Sequence, residues 1–488
     1  MILCQQLRLK QLFKVLKMNL RSVIFIGTAT LVSGIFIAMY WLTLTATDDT
    51  SQDALDDRVR IMVDDRHNET IDAGDFFSDL EHTWSGADAG NVRVVLPVEI
   101  EVNQSSDLTL NIGDIFGDNR FNWMYSKTPD QANFVVGGQM YVEMPILIRV
   151  SNSTNVSIDL KDIFGDNQFG WKLETATSSS TGQNPDKSAE STTPQTSLRI
   201  VGGPFIIDMS FTIEVVDSED VEIDIEDVLS NLTFSWIGGE NAVCNQLGGE
   251  IELKLPIAFQ VHRSESIKVN AEDTVGNLIF EWSCGNAIHR VGGPVSFYTP
   301  AIFDVVDSTD VSIDFEDQAS DNIFKWIAQN GPQATEHLGG SFSSIATSEF
   351  HVVNSQQVAI NTEDFFGDNR FVWAVEQGSD GSDLITNPVS VDASVLFEIE
   401  GSDDVNLDAE DVYGNNLFVW QPGDLESVST LLEAELTILD TVSRNVVGSS
   451  NVMIEFANVN QGNRHLIGPV PENAINPSDS PASRSNNN

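Results

Sequence analysis

Hydrophobic and polar residues alternate along several long stretches of the chain. In the stretch EIELKLPIAFQV, Ile251 and every second residue up to Val261 are apolar. Strict alternation predicts a β-strand that buries one face and exposes the other to water. Comparable alternation is present at residues 91–102 and 205–216. The pattern therefore predicts a protein built from long, half-buried strands.

Proline interrupts this long strand at the same place in four parts of the chain, at Pro97, Pro145, Pro256 and Pro300. Proline has no N–H group for a hydrogen bond to a neighbouring strand. We therefore expect the strand either to lie at a sheet edge at this point or to bend from one sheet to another.

Two shorter strands follow each long strand. A polar turn leads into a V-x-I-D segment, as at Val221 to Asp224, and a DxxGDN-type connection then leads into an F-x-W segment. Gly-Gly pairs precede the next long strand, and their first residues are 137, 202, 248, 292 and 339. We interpret one unit as three antiparallel strands.

This unit is repeated along the chain. Eight tryptophans close its copies: Trp84, Trp123, Trp171, Trp236, Trp282, Trp326, Trp373 and Trp420. An aspartate stands nine residues before each of them: Asp75, Asp114, Asp162, Asp227, Asp273, Asp317, Asp364 and Asp411. Successive tryptophans are 39 to 65 residues apart, so the sequence indicates a tandem array of units of about 45 residues.

We predict an all-β fold in which eight antiparallel repeats form an extended β-sandwich or solenoid-like array, preceded by one transmembrane helix. The alternative is an eight-bladed β-propeller, which suits the copy number and the unit size. Propeller strands are short, whereas a strand of twelve residues such as EIELKLPIAFQV would be about 38 Å long. Strand length therefore favours the open array.

The N-terminal region predicts a membrane anchor. Residues 23–44 contain no charged side chain and are long enough to cross a bilayer as a helix. Five basic and no acidic residues lie in 1–22, and Asp48 and Asp49 follow the apolar stretch. The positive-inside rule then places residues 1–22 in the cytoplasm and exports the repeat region, 45–460, to the periplasm or the cell surface. A cleaved signal peptide is the alternative interpretation.

Two segments depart from the repeat. Residues 174–197 are rich in Ser and Thr, which predicts a surface loop. Residues 461–488 are rich in Pro, Asn and Ser, which predicts a disordered C-terminal tail.

The chain carries 73 acidic and 25 basic residues, a formal net charge of -48. Such a surface repels nucleic acid and anionic lipid headgroups, and it attracts cations. We therefore exclude nucleic acid as a partner. The expected partners are the membrane, through the N-terminal helix, and a protein or glycan outside the cell.

Three cysteines are too few for a disulfide-rich scaffold or a cysteine-based zinc site. Cys244 and Cys284 follow the tryptophans of two successive repeats. In an oxidising compartment they would form a bridge, and otherwise they would be small buried apolar residues.

Carboxylates are the candidate metal ligands. Each repeat has Asp or Asn twelve and five residues before the tryptophan, in addition to the aspartate nine before it. Three copies are fully acidic: Asp72, Asp75 and Asp79; Asp159, Asp162 and Asp166; Asp314, Asp317 and Asp321. Ca²⁺ takes six to eight oxygen ligands, which loops of this composition can supply. Alternatively, the aspartates cap tight turns by accepting backbone N–H groups.

The aromatic residues suggest a core. Phenylalanine stands two residues before the tryptophan in seven of the eight units, and His82 replaces it in the first. Two residues apart means the same face of a strand, so we expect these rings to be buried. The alternative is a platform that stacks sugars.

The sequence therefore predicts an exported, membrane-anchored, acidic repeat protein with a structural, adhesive or binding role, and with calcium as the candidate stabilising ion. The alternatives are a periplasmic scaffold or ligand-binding propeller, and a carbohydrate-active enzyme. The sequence contains no Gly-x-Ser-x-Gly, His-Glu-x-x-His or phosphate-loop motif, so no catalytic residues are assigned.

Overall fold

The computed structural model describes residues 59–74, 79, 81–85, 92–125, 134–173, 199–271, 276–315, 321–328, 337–363, 367–375, 389–392, 394–409, 414–421, 436–439, 441–455 and 464–467. Every regular element among these residues is a β-strand. The all-β prediction is confirmed.

The chain winds as a parallel β-solenoid. Each turn of the chain, which we call a coil, contributes one strand to each of the sheets A, B and C, and in the first eight coils a strand of sheet D follows. Each strand pairs in parallel with the equivalent strand of the next coil. In sheet A, for example, Ile148 lies opposite Ile100 on one side and Ile213 on the other. Each position of the repeat therefore forms a column that runs along the solenoid.

Among the described residues, sheets A and B contain nine strands each. The strands of sheet A are Val59–Asp64, Val98–Asn103, Ile146–Ser151, Phe211–Val216, Ile257–His262, Ala301–Val306, Ser348–Val353, Val395–Glu400 and Val442–Val447. The strands of sheet B are His67–Gly74, Ser106–Gly113, Thr154–Lys161, Glu219–Glu226, Glu265–Asn270, Thr309–Asp314, Gln356–Asn361, Asp403–Asp408 and Ser450–Glu455.

Sheet C contains the tryptophans, and sheet D leads into the next coil. The strands of sheet C are Glu81–Ser85, Arg120–Tyr125, Gln168–Leu173, Thr233–Leu247, Ile279–Val291, Ile323–Ala328, Arg370–Val375, Leu417–Gln421 and Arg464–Ile467, with the short additions Phe134–Val136, Arg199–Val201 and His337–Leu338. The strands of sheet D are Val92–Val95, Met140–Glu143, Phe205–Asp208, Ile251–Lys254, Val295–Tyr298, Phe342–Ile345, Val389–Asp392 and Leu436–Leu439.

The predicted antiparallel arrangement is wrong, because the strand pairs in the described part of the chain are parallel. Consecutive strands of one unit belong to different sheets because the chain bends between them. Each strand therefore pairs with the equivalent strand of the next unit. Alternation of apolar and polar residues shows that one face is buried, but it carries no information about strand direction. The pattern was therefore compatible with either arrangement.

The propeller alternative is also wrong. In each sheet the strands follow one another from the first coil to the last, and the described strands of the first and last coils do not pair with each other. The stack is therefore open, as the solenoid-like interpretation expected. Sheets A and B have one strand more than the number of tryptophan-bearing units, because a ninth coil places Ile467 opposite Trp420.

The long strand bends at its proline. The alternating stretch 251–261 is divided between Ile251–Lys254 in sheet D and Ile257–His262 in sheet A. At the corner between them the carbonyl of Pro256 accepts a hydrogen bond from the N–H of Phe211 at 2.9 Å. Of the two expectations for the prolines, a bend between sheets is the correct one. No twelve-residue strand exists here, so strand length was not a valid argument against the propeller.

Several predicted segments lie outside the described residues, namely 1–22, the predicted membrane helix at 23–44 and the predicted loop at 174–197. The part of the chain that is described contains no helix long and apolar enough to span a membrane. Within the predicted C-terminal tail, Arg464–Ile467 form a strand beside Leu417–Trp420.

Candidate functional site

The tryptophans form one column inside the solenoid. Neighbouring rings from Trp84 to Trp373 have centroids 4.7 to 5.1 Å apart and planes within 13° of parallel. From Trp123 to Trp373 these side chains are at most 1% exposed. Each indole covers the face of the next, so the predicted core role is confirmed and a sugar platform at these residues is wrong. The side chain of Trp420 lies outside the described part.

Phenylalanine forms a second column beside the first. The rings of Phe121, Phe169, Phe234, Phe280, Phe324, Phe371 and Phe418 stack with centroids 4.8 to 5.5 Å apart. Stacked aromatic pairs contribute about 0.5–1.5 kcal/mol each beyond the area that they bury. The interior is therefore filled by side chains that hold successive coils in one register.

The Gly-Gly pairs make room for the indoles. Gly202, Gly248 and Gly292 have φ of +115°, +101° and +109°, and each lies against the tryptophan of the next coil. The second glycine of each pair is packed against backbone: a Cβ on Gly249 would lie 2.0 Å from the carbonyl oxygen of Gly203. These glycines are required by close packing of the chain on itself.

A column of buried serines joins sheets A and B, and the sequence analysis did not identify it. Ser218 donates its backbone N–H to Oγ of Ser264, and Ser264 donates to Oγ of Ser308, each at 3.2 Å. The same contact links Ser105, Ser153, Ser308, Ser355, Ser402 and Ser449 to their neighbours. The available signal was a serine eighteen residues before the tryptophan in seven units.

The residue five before the tryptophan is exposed and links successive coils. Oδ1 of Asp79, Asp118 and Asp166 accepts the backbone N–H of the equivalent residue in the next coil at 2.8 to 3.1 Å. Asp321 does the same at 2.9 Å. These carboxylates therefore accept backbone N–H groups, as in the capping alternative, but the groups come from the neighbouring coil.

Directly after this residue runs a column of buried asparagines. Asn119 donates its N–H to Oδ1 of Asn167 at 3.0 Å, and Nδ2 of Asn119 donates to the carbonyl oxygens of Phe116 and Gly117. Asn322, Asn369 and Asn416 are buried in the same column. Buried amides satisfy backbone groups of the sharp turn between sheets B and C.

The residue twelve before the tryptophan forms a row along sheet B. Its members are Asp72, Asn111, Asp159, Asp224, Asn270, Asp314, Asn361, Asp408 and Glu455. Nδ2 of Asn270 donates to Oδ1 of Asp224 at 3.2 Å, and Nδ2 of Asn361 donates to Oδ1 of Asp314 at 3.3 Å. Interposed amides therefore reduce repulsion between the carboxylates. We call these nine positions the sheet B acidic row.

Asp159 and Asp224 are neighbours in this row without an amide between them. Nζ of Lys161 lies 3.8 Å from Asp159, 3.9 Å from Asp224 and 3.1 Å from Glu226. The hydrogen bond to Glu226 is the main cause that raises the pKa of Lys161. Burial, followed by the nearby charge of Glu226, raises the pKa of Asp224, and Lys161 opposes the shift.

The aspartate nine before the tryptophan stands at a left-handed turn residue. The described examples are Asp114, Asp162 and Asp227, with φ of 47°, 49° and 46°. The carbonyl oxygen of Asp162 accepts the N–H of Gly165 at 3.0 Å. Asp and Asn adopt this backbone region more readily than most residues. A turn role accounts for the recurrence of this aspartate.

The three predicted acidic triads are only partly described. Asp75, Asp317 and the side chain of Asp72 lie outside the described part of the chain. In the fully described triad, Asp159 contacts Lys161, Asp162 occupies the left-handed turn, and Asp166 accepts from the next coil. Within the described residues, no three His, Cys, Asp or Glu side chains are arranged to hold a metal ion.

On sheet A three charged side chains in successive coils alternate in sign. Arg149 lies between Glu101, at 3.1 Å from Nη1, and Glu214, at 2.6 Å from Nε. The hydrogen bond to Glu214 is the main cause that raises the pKa of Arg149. Charge pairing across coils therefore uses several of the chain's few basic residues.

Cys244 and Cys284 are not opposite each other. In sheet C the backbone of Cys284 pairs with Gly238, whereas Cys244 pairs with Ala287. The irregular register between these strands separates two residues that occupy similar places in the sequence.

Comparison with protein-family models, with curated proteins and with solved structures finds no match for this chain.

Proposed function

We propose that this chain is an exported scaffold, anchored to a membrane at its N-terminus, that presents a rigid acidic surface to cationic partners in an adhesive or structural role. The observation that carries the proposal is the set of columns that keep nine strands of sheets A and B in one register.

Rigidity follows from these columns. Stacked indoles, stacked phenylalanines and buried serine contacts each join one coil to the next, so the outer faces keep a fixed geometry. A surface of this kind holds its binding groups in place before a partner arrives, which reduces the entropy lost on binding.

The length of the solenoid favours a binding surface over a spacer. The nine coils formed by the described residues are separated by eight steps of about 4.8 Å, which gives this part a length of about 38 Å. This is no longer than an ordinary domain, so the repeats add little distance from the membrane. They do create flat faces on which one side chain recurs at each step.

The charge of the chain selects the partner. A net charge of -48 attracts cations and repels nucleic acid. The sheet B acidic row contains Asp, Asn or Glu at all nine positions. A partner with regularly spaced amines or guanidinium groups complements this row.

The membrane anchor is supported by the sequence. Residues 23–44 are uncharged, and five basic residues precede them. A periplasmic scaffold agrees with the same observations. The described residues offer no specific observation in favour of a carbohydrate-active enzyme, so we do not propose one.

Binding to immobilised polymers tests this proposal. The full-length chain in lipid nanodiscs is passed over poly-L-lysine, poly-L-glutamate and neutral dextran at about 50 mM and about 500 mM salt. We expect binding to poly-L-lysine alone, and we expect it to weaken strongly at the higher salt concentration because exposed charges are then screened.

A pair of variants locates the binding surface. One variant carries Asp159→Asn, Asp224→Asn, Asp314→Asn and Asp408→Asn in the sheet B acidic row. The control variant neutralises four carboxylates on sheet A, by Glu99→Gln, Glu349→Gln, Glu398→Gln and Glu400→Gln. The first variant should lose several-fold more affinity than the control. Equal losses, or preferential binding to dextran, would contradict the proposal.

A further inference from the structure

Among the described residues, charged side chains and histidines occupy the inward-facing columns of sheets A, B and C only in the first and last coils. In the intervening coils the inward positions of sheets A, B and C are apolar, or are small neutral residues such as serine and threonine. The type of residue in these inward-facing columns therefore depends on whether the coil lies at an end of the stack or within it.

Three such residues lie in the first coil. Glu69 pairs with Leu108, whose column otherwise contains Leu, Val and Ile. Arg66 takes the place of the first serine, since its backbone N–H donates to Oγ of Ser105 at 3.3 Å. His82 pairs with Phe121, and its ring centroid lies 4.1 Å from that of Trp84. Arg66 and Glu69 lie 3.6 Å apart.

Two such residues lie in the last coil. In sheet A the rings of Phe259, Phe303, Phe350 and Phe397 stack on one another. Arg444 pairs with Phe397, so it ends this column, and it is exposed. His465 pairs with Phe418 and ends the phenylalanine column of sheet C. The first and last members of this second column are therefore both histidine.

These residues matter because the ends of a parallel solenoid favour self-association. In the described structure, the terminal strands of sheets A and B have a paired strand on one side only. Such strands can template the addition of another chain, and inward-pointing charges are one way in which proteins prevent it. A second copy, stacked in register on the last coil, would place Arg444 against Ile61 and Val452 against Glu69. It would also place His465 against His82.

We propose that the first and last coils are caps that prevent end-to-end stacking of the solenoid with a second copy of the chain. A second copy stacked on either end would bury a charged residue or an imidazole in each of these columns. For Glu69 and Arg444 the neighbour across the junction would be an apolar residue, and for His465 and His82 it would be another histidine. Burial of charged groups between two coils costs desolvation energy, even where the charges are paired as in Arg66 and Glu69. The caps keep the acidic faces on separate solenoids of fixed length.

The test restores the column residues at both ends. The full-length variant carries Arg66→Ser, Glu69→Leu, His82→Phe, Arg444→Phe and His465→Phe, each being a residue found in the neighbouring coil. The wild-type chain in detergent should sediment as one copy. The variant should sediment at two or more times that mass and form linear rods in electron micrographs.

A control separates stacking from general stickiness. It places four apolar residues on the outer faces of the same coils, by His67→Phe, Glu81→Leu, Asn445→Phe and Arg464→Phe. The control should stay at the mass of one copy, and circular dichroism should report β-structure in all three proteins. The proposal is overturned if the folded five-substitution variant remains a single copy. It is also overturned if the wild type forms rods, or if the control assembles equally well.

Discussion

The indole of Trp282 occupies the space where a side chain on Gly248 would lie. An ideal Cβ on Gly248 would come 2.4 Å from Nε1 and 2.5 Å from Cδ1 of that ring. The glycine also has φ of +101°, a region that residues with a side chain rarely adopt. One glycine thus permits both the turn into sheet D and the tight seating of the tryptophan column.

Gly248→Ala should destabilise the protein. The methyl group displaces a fully buried ring and strains the backbone, and together these effects should cost about 3 kcal/mol. Gly448→Ala is the matched control, since Gly448 has φ of +65° but has no atom within 4 Å of its ideal Cβ. It should cost about 1 kcal/mol. Urea unfolding measures both, and equal losses would show that the indole does not fill the site.

The repeat, its strands and its aromatic core were predictable from the sequence because they depend on local periodicity. Phe234 and Trp236 are two residues apart and must share a face of a strand, whichever strand lies beside them. The same argument predicted alternate burial in Ile257–His262, which the structure confirms.

Strand direction was not predictable, because it depends on which strand meets which across a unit. Pro256 left two possibilities open, and only the corner between sheets D and A decides between them. The serine column was missed for a different reason. In the sequence a serine such as Ser264 is indistinguishable from an ordinary turn residue. Its role depends on contact with the equivalent serine of the next coil, Ser308, which only the structure shows.

Ser264→Ala should lower stability through the loss of an acceptor. Oγ of Ser264 accepts the N–H of Ser218 at 3.2 Å, and Ser264 is 4% exposed. A buried N–H without an acceptor costs about 1–3 kcal/mol. Ser312→Ala, on the exposed face of sheet B, should change stability by less than about 0.5 kcal/mol. Equal shifts of the denaturant midpoint in the two variants would contradict this role of Ser264 as a buried acceptor.

Asp224 makes stability depend on pH. Burial and the charge of Glu226 raise its pKa in the folded state, so the folded protein binds the proton more tightly than the unfolded chain does. This group therefore lowers stability as the pH rises from about 4 through its folded pKa. Asp224→Asn should remove that loss and raise the melting temperature at neutral pH, while its side-chain oxygen still accepts from Asn270.

Glu226→Gln provides a check on this explanation. It removes one of the causes that raise the pKa of Asp224, so it should reduce the loss of stability over the same pH range by a smaller amount. Melting curves at pH values between about 4 and 7 measure both effects. A change of stability with pH that is more positive in Asp224→Asn than in the wild type would support the raised pKa of Asp224. Parallel pH profiles for the two proteins would contradict a raised pKa for Asp224 in the folded state.

Calcium should stabilise the protein no more than other salts do, if the aspartates serve the solenoid by accepting N–H groups. Specific calcium sites would add about 2.7 kcal/mol each at a hundredfold excess over the dissociation constant. Melting of the full-length chain with chelator, with calcium and with magnesium or sodium at matched ionic strength distinguishes the two interpretations.

Substitutions at Asp321 sharpen this test. Asp321 accepts the N–H of Asp368 at 2.9 Å, and asparagine occupies the equivalent position at Asn231. Asp321→Asn should therefore be tolerated, whereas Asp321→Ala should cost about 1 kcal/mol. A calcium-specific rise in melting temperature that Asp321→Asn abolishes would instead support the predicted ion site at Asp314, Asp317 and Asp321.

Distances between spin labels on sheet B test the open parallel solenoid most directly. Pairs of cysteine-attached labels are placed at Thr109 and Ser312, at Thr109 and Asn406, and at Thr70 and Met453, with Cys4, Cys244 and Cys284 replaced by serine. These pairs are separated by four, six and eight coil steps. At about 4.8 Å per step, the backbone separations should be about 19, 29 and 38 Å. Distances that increase in this order support the account. A Thr70–Met453 distance shorter than the other two would mean that the array closes on itself, and it would contradict the account.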